Sequence, residues 1–196
     1  MKILITGFKP FNQDEINPTE KILESIDSHY KSNEIYKLLL NVEYKKDANK
    51  IQEEIQKIHP DLVIMMGLAG GRNDVCLEKV ALNFRHATIK DNAGILISNE
   101  KISSNSPIAY ETTLNLNKIL DSLNINRLSI SYSAGTFICN DVYYSTLDYI
   151  NKNNLNTKAL FIHFPYLTEQ SKTRPTMELD EMIDILYKVL DLIIFN

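Results

Sequence analysis

Leu62-Val63-Ile64-Met65-Met66 is an unbroken apolar run, set between Asp61 and Gly67. It shows no polar–apolar alternation, so a strand here is buried on both faces. That is the habit of a parallel sheet covered by helices on either side. Its neighbours agree. Asp47 to Ile58 places Ile51, Ile55 and Ile58 on one helical face, and Pro60 ends that helix. Lys2 to Phe8 and Lys158 to Phe164 read as two further buried strands, and Lys37 to Val42 as another. Asn17-Pro18, with Glu20 behind, has the form of a helix start: Asn17 as cap and Pro18 at the first helical position. Ala109 to Leu123 and Met177 to Phe195 read as amphipathic helices. Strands alternate with helices and no linker or repeat interrupts them. The expectation is one α/β domain over residues 1–196, a mainly parallel twisted sheet with helices on both faces. A chain of 196 residues supports one full core.

Charge and composition narrow the function. A net charge of −4 leaves no basic footprint for nucleic acid. No apolar stretch approaches a membrane span, and Ile3-Leu4-Ile5 is too short for a signal-peptide core, so a cytoplasmic protein is expected. The two cysteines, Cys76 and Cys139, belong to no Cys-x-x-Cys pair, which leaves zinc and redox sites of that type without support. Gly67-Leu68-Ala69-Gly70-Gly71-Arg72 is glycine-rich, but its spacing is not that of a dinucleotide-binding turn.

The stretch from Ser131 to Asn140 carries the strongest chemical signal. An apolar run, Arg127 to Tyr132, enters the small-residue turn Ser133-Ala134-Gly135. A helical pattern follows, with Val142, Leu147 and Ile150 on one side. Cys139 thus falls near a helix start, where unpaired N–H groups and the helix dipole favour a thiolate and could hold an oxyanion. A small core thiol fits the same stretch. A Cys nucleophile needs a base and the base an orienting group. Among the histidines, His29 and His59 end helical patterns and His86 lies in a polar stretch; only His163 sits in a buried strand. Glu78, in the stretch from Cys76 to Phe84, is the candidate third member. The bland readings are a core histidine bonded to backbone, and a surface carboxylate beside Lys79.

These residues lie in blocks that resemble the pyroglutamyl-peptidase I family of cysteine exopeptidases. Thr6-Gly7-Phe8-Lys9-Pro10-Phe11 with Asn17-Pro18 is similar to the family's opening. The glycine-rich turn with Glu78-Lys79-Val80-Ala81-Leu82-Asn83 resembles its glutamate signature. Ser133 to Asn140 resembles its cysteine signature, the most specific of the set, and His163 to Gln170 its histidine region. Asp91-Asn92-Ala93-Gly94 and Ala109 to Leu114 also fit. The resemblance implies a Cys139–His163–Glu78 triad that removes N-terminal pyroglutamyl residues from peptides through a thioester. It implies Phe8, Phe11, Ile89, Phe137 and Ile138 as the substrate pocket, no cofactor or metal, and a homotetramer.

Three positions depart from the family pattern. Cys76 stands where the family often has Ser or Thr, and Thr168 where it has Pro. Thr88 occupies the place of an arginine associated with the oxyanion; the nearest arginine is Arg85. The alternative that Thr88 raises is a weakly active or non-enzymatic relative that binds a lactam or peptide end group.

Overall fold

The structure, a computed structural model, describes residues 1–195. Nine strands and five helices make the frame: β1 (Lys2–Phe8), α1 (Pro18–Ser25), β2 (His29–Tyr30), β3 (Asn33–Leu40), α2 (Lys46–Ile58), β4 (Leu62–Leu68), β5 (Val75–Glu78), β6 (Val80–Leu82), β7 (Ala109–Glu111), α3 (Leu116–Leu123), β8 (Leu128–Ser131), α4 (Ile138–Lys152), β9 (Lys158–Phe164) and α5 (Leu179–Phe195). A short pair, β10 (Tyr166–Leu167) and β11 (Thr176–Met177), follows β9.

The main sheet has seven strands in the order β2-β3-β1-β4-β9-β5-β8. Its centre, β3-β1-β4-β9, is parallel. β4 is wholly internal, which is why its side chains could be apolar without alternation. Successive residues still serve opposite layers. Leu62, Ile64 and Met66 join α1, α3 and α5 in one core. Val63 and Met65 join α2 and α4 in the other. β9 divides likewise: Leu160 and Ile162 face the first core, Phe161 the second.

The sheet is mixed where the site lies. β5 runs antiparallel to β9, and β8 follows β5. The expected helix from Ala109 starts only at Leu116. Ala109–Glu111 instead pairs with β6, and Asn115 caps the helix by accepting from Lys118 N at 3.1 Å. The strand expected to reach Val42 stops at Leu40, because Val42 has φ +64°, outside strand geometry. The polar segment 85–107 is organised by Asp91. Its carboxylate accepts from Ala93, Ile95 and Tyr44 N–H groups at 2.8–3.0 Å, and Gly94 closes the turn at φ +81°.

Candidate active site

Strand register brings Glu78 and His163 together. Cys76 is paired with His163 across β5 and β9, so Glu78, two residues on, is a diagonal neighbour on the same face. Glu78 arrives on a strand that runs the opposite way to β9 and reaches across. Its Oε1 accepts from His163 Nδ1 at 2.7 Å and from Arg72 Nη1 at 2.7 Å. Glu78 is 0% exposed and His163 4%. Burial alone would raise the Glu78 carboxyl. The His163 bond, the Ser131 hydroxyl and the Arg72 charge overcome it and hold the group below the usual carboxylate range. His163 is held below its ordinary value by burial, against the pull of Glu78. The resting pair is an ionised carboxylate and a neutral imidazole, its Nδ1–H on Glu78 and Nε2 left for the cavity.

Cys139 is the second residue of α4. The chain turns into this helix at Gly135, φ +81°, a value that favours glycine. The cap residue Phe137 makes no side-chain cap bond, and the first N–H groups of a helix have no intrahelical acceptor. Asn140 fixes the position of the turn. It accepts from Leu82 N at 2.8 Å and donates to the Leu82 and Phe84 carbonyls, stitching α4 to β6. Cys139 is also packed over Gly67: a Cβ there would lie 2.9 Å from its Sγ. The helix start was expected to lower the thiol pKa. Burial, reinforced by the Glu78 charge, wins and pushes it up to about 12.

A cavity of about 160 Å³ opens over Cys139 and His163. Of the residues that the family resemblance implies for a pocket, Phe8, Phe11, Phe137 and Ile138 line this cavity and Ile89 does not: it is 40% exposed. Phe11 and Phe137 lie at 6.0 Å between ring centres, and Tyr44 braces Phe137 edge-on at 5.5 Å. The wall also includes Asn17, Val42, Leu68 and the turn Ala134–Thr136, which sequence reasoning did not assign to it. Asn17 had been legible only as a helix cap. That role is real, since Oδ1 accepts from Thr19 N at 3.0 Å. Arg72 was visible in the glycine-rich turn, but its pairing with Glu78 depends on a turn conformation that spacing does not specify. Cys76 lies outside the cavity, 6% exposed, with Sγ 3.4 Å from Ser129 Oγ. Arg85 does not reach the site either. It is buried against Asp141 at 2.6 Å and extends to Glu100 at 3.1 Å.

A cysteine over an apolar cavity, with a histidine oriented by a buried carboxylate, defines the class of cysteine hydrolases. The comparisons fix the family. The pyroglutamyl peptidase family model matches residues 1–194. Pyrrolidone-carboxylate peptidase of Brachyspira hyodysenteriae is 42% identical, over 99% of this chain and 97% of that protein. Pyrrolidone-carboxylate peptidase 1 of Caldanaerobacter subterraneus is 37% identical, over 99% and 98%. Among solved structures, the pyrrolidone carboxyl peptidase from Thermococcus litoralis superposes with a TM-score of 0.92 at 34% identity, covering 97% of this chain and 91% of that one. The pyroglutamyl peptidase I of Bacillus amyloliquefaciens gives 0.90 at 32%, covering 96% and 94%. The chain belongs to the pyroglutamyl peptidase family and is a cysteine peptidase of that type.

Proposed function

We propose that this chain removes the N-terminal pyroglutamyl residue from peptides, with Cys139 as nucleophile, His163 as acid and base, and Glu78 as the orienting anion. The observation that carries the reading is that Cys139 and His163 line the same small apolar cavity, with Glu78 bonded to His163 from behind. A cavity of about 150 Å³ can hold a ring the size of benzene, so this one suits a five-membered lactam. A free glutamyl end would bring an ammonium and a carboxylate into apolar walls, which is costly without partners.

Cys139 Sγ attacks the pyroglutamyl carbonyl carbon while its proton passes to His163 Nε2. The imidazolium so formed is stabilised through Nδ1–H by Glu78. N–H groups at the start of α4 receive the oxyanion. His163 then gives the proton to the leaving amine, and the C–N bond breaks to leave a thioester. A water, deprotonated by His163, cleaves the thioester; the proton returns to Sγ and pyroglutamate is released. No helix among the described residues is long and apolar enough to cross a membrane, which accords with a cytoplasmic enzyme. A homotetramer is proposed on family grounds.

Hydrolysis of chromogenic pyroglutamyl, glutaminyl and glutamyl amides, with mapping of iodoacetamide-labelled peptides, tests this. Pyroglutamyl amide alone should be cleaved, and activity should fall in step with labelling of Cys139. Equal turnover of the glutamyl amide, or full Cys139 labelling with activity intact, refutes it.

A further inference from the structure

Arg72 has two jobs in its hydrogen bonding, and the triad chemistry uses neither. Nη1 donates to Glu78 Oε1 at 2.7 Å, the same oxygen that His163 occupies. Nη2 donates to the Ser133 carbonyl at 3.2 Å, the beginning of the turn that delivers Cys139. The residue itself is set firmly. Its N–H closes the glycine-rich turn on Ala69 O at 3.2 Å, and Ala69 N is bound to Phe164 O at 2.8 Å. Gly71 takes φ +106°, and any side chain at Gly70 would run into the Tyr166 ring.

A buried carboxylate needs a lasting counter-charge. His163 cannot be that partner throughout, because it alternates between neutral and cationic in each turnover. Arg72 is the cation that stays. We propose that Arg72 is a positioning residue of the triad: it keeps Glu78 ionised while His163 is neutral, and ties that carboxylate to the turn that carries Cys139. The inference rests on the peptidase reading for its consequences in turnover. Its electrostatic core can be read from the thiol alone.

The titratable groups facing Arg72 are Glu78 and Cys76 from β5, His163 from β9 and Cys139 from α4. The Arg72 charge lowers both His163 and Cys139. Removing it leaves His163 held by an unshared Glu78 anion, so the imidazole keeps its proton to higher pH. The Cys139 thiolate loses an attraction, so the thiol also keeps its proton longer. Both limbs of the kcat/KM profile should therefore move up. Arg72 Nη1 and His163 Nδ1 share one Glu78 oxygen, each at 2.7 Å, so the acid limb, set by His163, is the one that responds most.

The experiment compares wild type, Arg72→Gln and Arg72→Lys as pH profiles of pyroglutamyl-amide hydrolysis and of Cys139 alkylation by iodoacetamide. Arg72→Gln should move the acid limb upward by up to about one unit and slow Cys139 alkylation at a fixed pH. Arg72→Lys keeps the charge but loses the second contact, so its limbs should stay in place while kcat falls. A lower profile with unmoved limbs in Arg72→Gln would reduce Arg72 to a structural role and overturn the proposal. If Arg72→Gln does not fold, Arg72→Lys decides: wild-type kcat overturns it. If the wild type cleaves no substrate, the peptidase reading fails, while the alkylation profiles still test the electrostatic role.

Discussion

The Arg85–Asp141 pair makes a quantitative test of how the loop beside the site is anchored. Arg85 Nε meets Asp141 Oδ1 at 2.6 Å, with side-chain exposures of 5% and 0%. Asp141 Oδ2 also accepts from Lys45 N at 3.2 Å, and Arg85 Nη1 reaches the half-exposed Glu100. Asp141 stands two residues beyond Cys139, so the pair fastens the segment from Arg85 onto the first turn of α4. Arg85→Ala leaves Asp141 as a buried charge without its cation. Breaking a buried pair from one side costs about 3–5 kcal/mol. For a chain of this size, that is a melting temperature lower by roughly 6–20 °C. Asp141→Asn should cost less, since Arg85 keeps Glu100.

The pH dependence supplies the refutation. Burial, against the pull of Arg85, holds the Asp141 carboxyl above the usual carboxylate range. In the window between its unfolded and folded values the native state binds the extra proton, so stability falls as pH rises through it. Removing Arg85 lifts the folded value further and widens that window upward. Urea unfolding at a series of pH values should therefore show the Arg85→Ala deficit largest near neutrality and shrinking toward acid. A deficit under about 1 kcal/mol at neutral pH is the range of a surface pair and would refute the reasoning. So would a deficit that does not change with pH.

Two further predictions concern the cavity and its rim. Phe11→Ala should weaken pyroglutamyl-amide binding by about 1–3 kcal/mol, seen mainly in KM; an unchanged KM would remove Phe11 from the substrate wall. Thr88 is exposed, two residues past a backbone pair in which His86 N donates to Thr136 O at 2.9 Å, so Thr88→Arg starts beside the turn that leads to Cys139. It should raise kcat by up to about 10²-fold, the scale of one oxyanion donor, with less change in KM; an unchanged kcat in a folded variant would mean that another group already fills the role.

The parts of the fold that are legible in sequence are those decided by period and punctuation. β4, β1 and β9 announce themselves because burial on both faces demands uninterrupted apolar residues. α1 does so because Asn17 accepts from the Thr19 N–H and Pro18 has no N–H to satisfy. What was not legible depends on distant partners. β7 is a strand because β6 lies beside it, although Ala109-Tyr110-Glu111 carries no strand signal of its own. The reversal of β5 is likewise a property of the sheet. Ile89 sits in a segment organised by Asp91 through contacts to Tyr44, Ala93 and Ile95, and position in a motif could not tell which side of that segment faces the cavity.

The direction of the Cys139 shift was also beyond sequence, and it changes the account of the nucleophile. A helix start argues for a stable thiolate. The fold adds burial beneath the β4 strand and an anion at Glu78, and the balance tips to a neutral thiol, its pKa pushed up to about 12. Such a thiol gives up its proton only where a neutral base waits to take it. In the proposed mechanism His163 would be that base, since burial holds it below its ordinary value, and Glu78, bonded to Nδ1 at 2.7 Å, would stabilise the resulting cation. Gly67 belongs to the same design. A Cβ there would press on Cys139 Sγ at 2.9 Å and on the Phe161 ring at 2.8 Å, displacing the sulfur from the cavity wall it shares with His163.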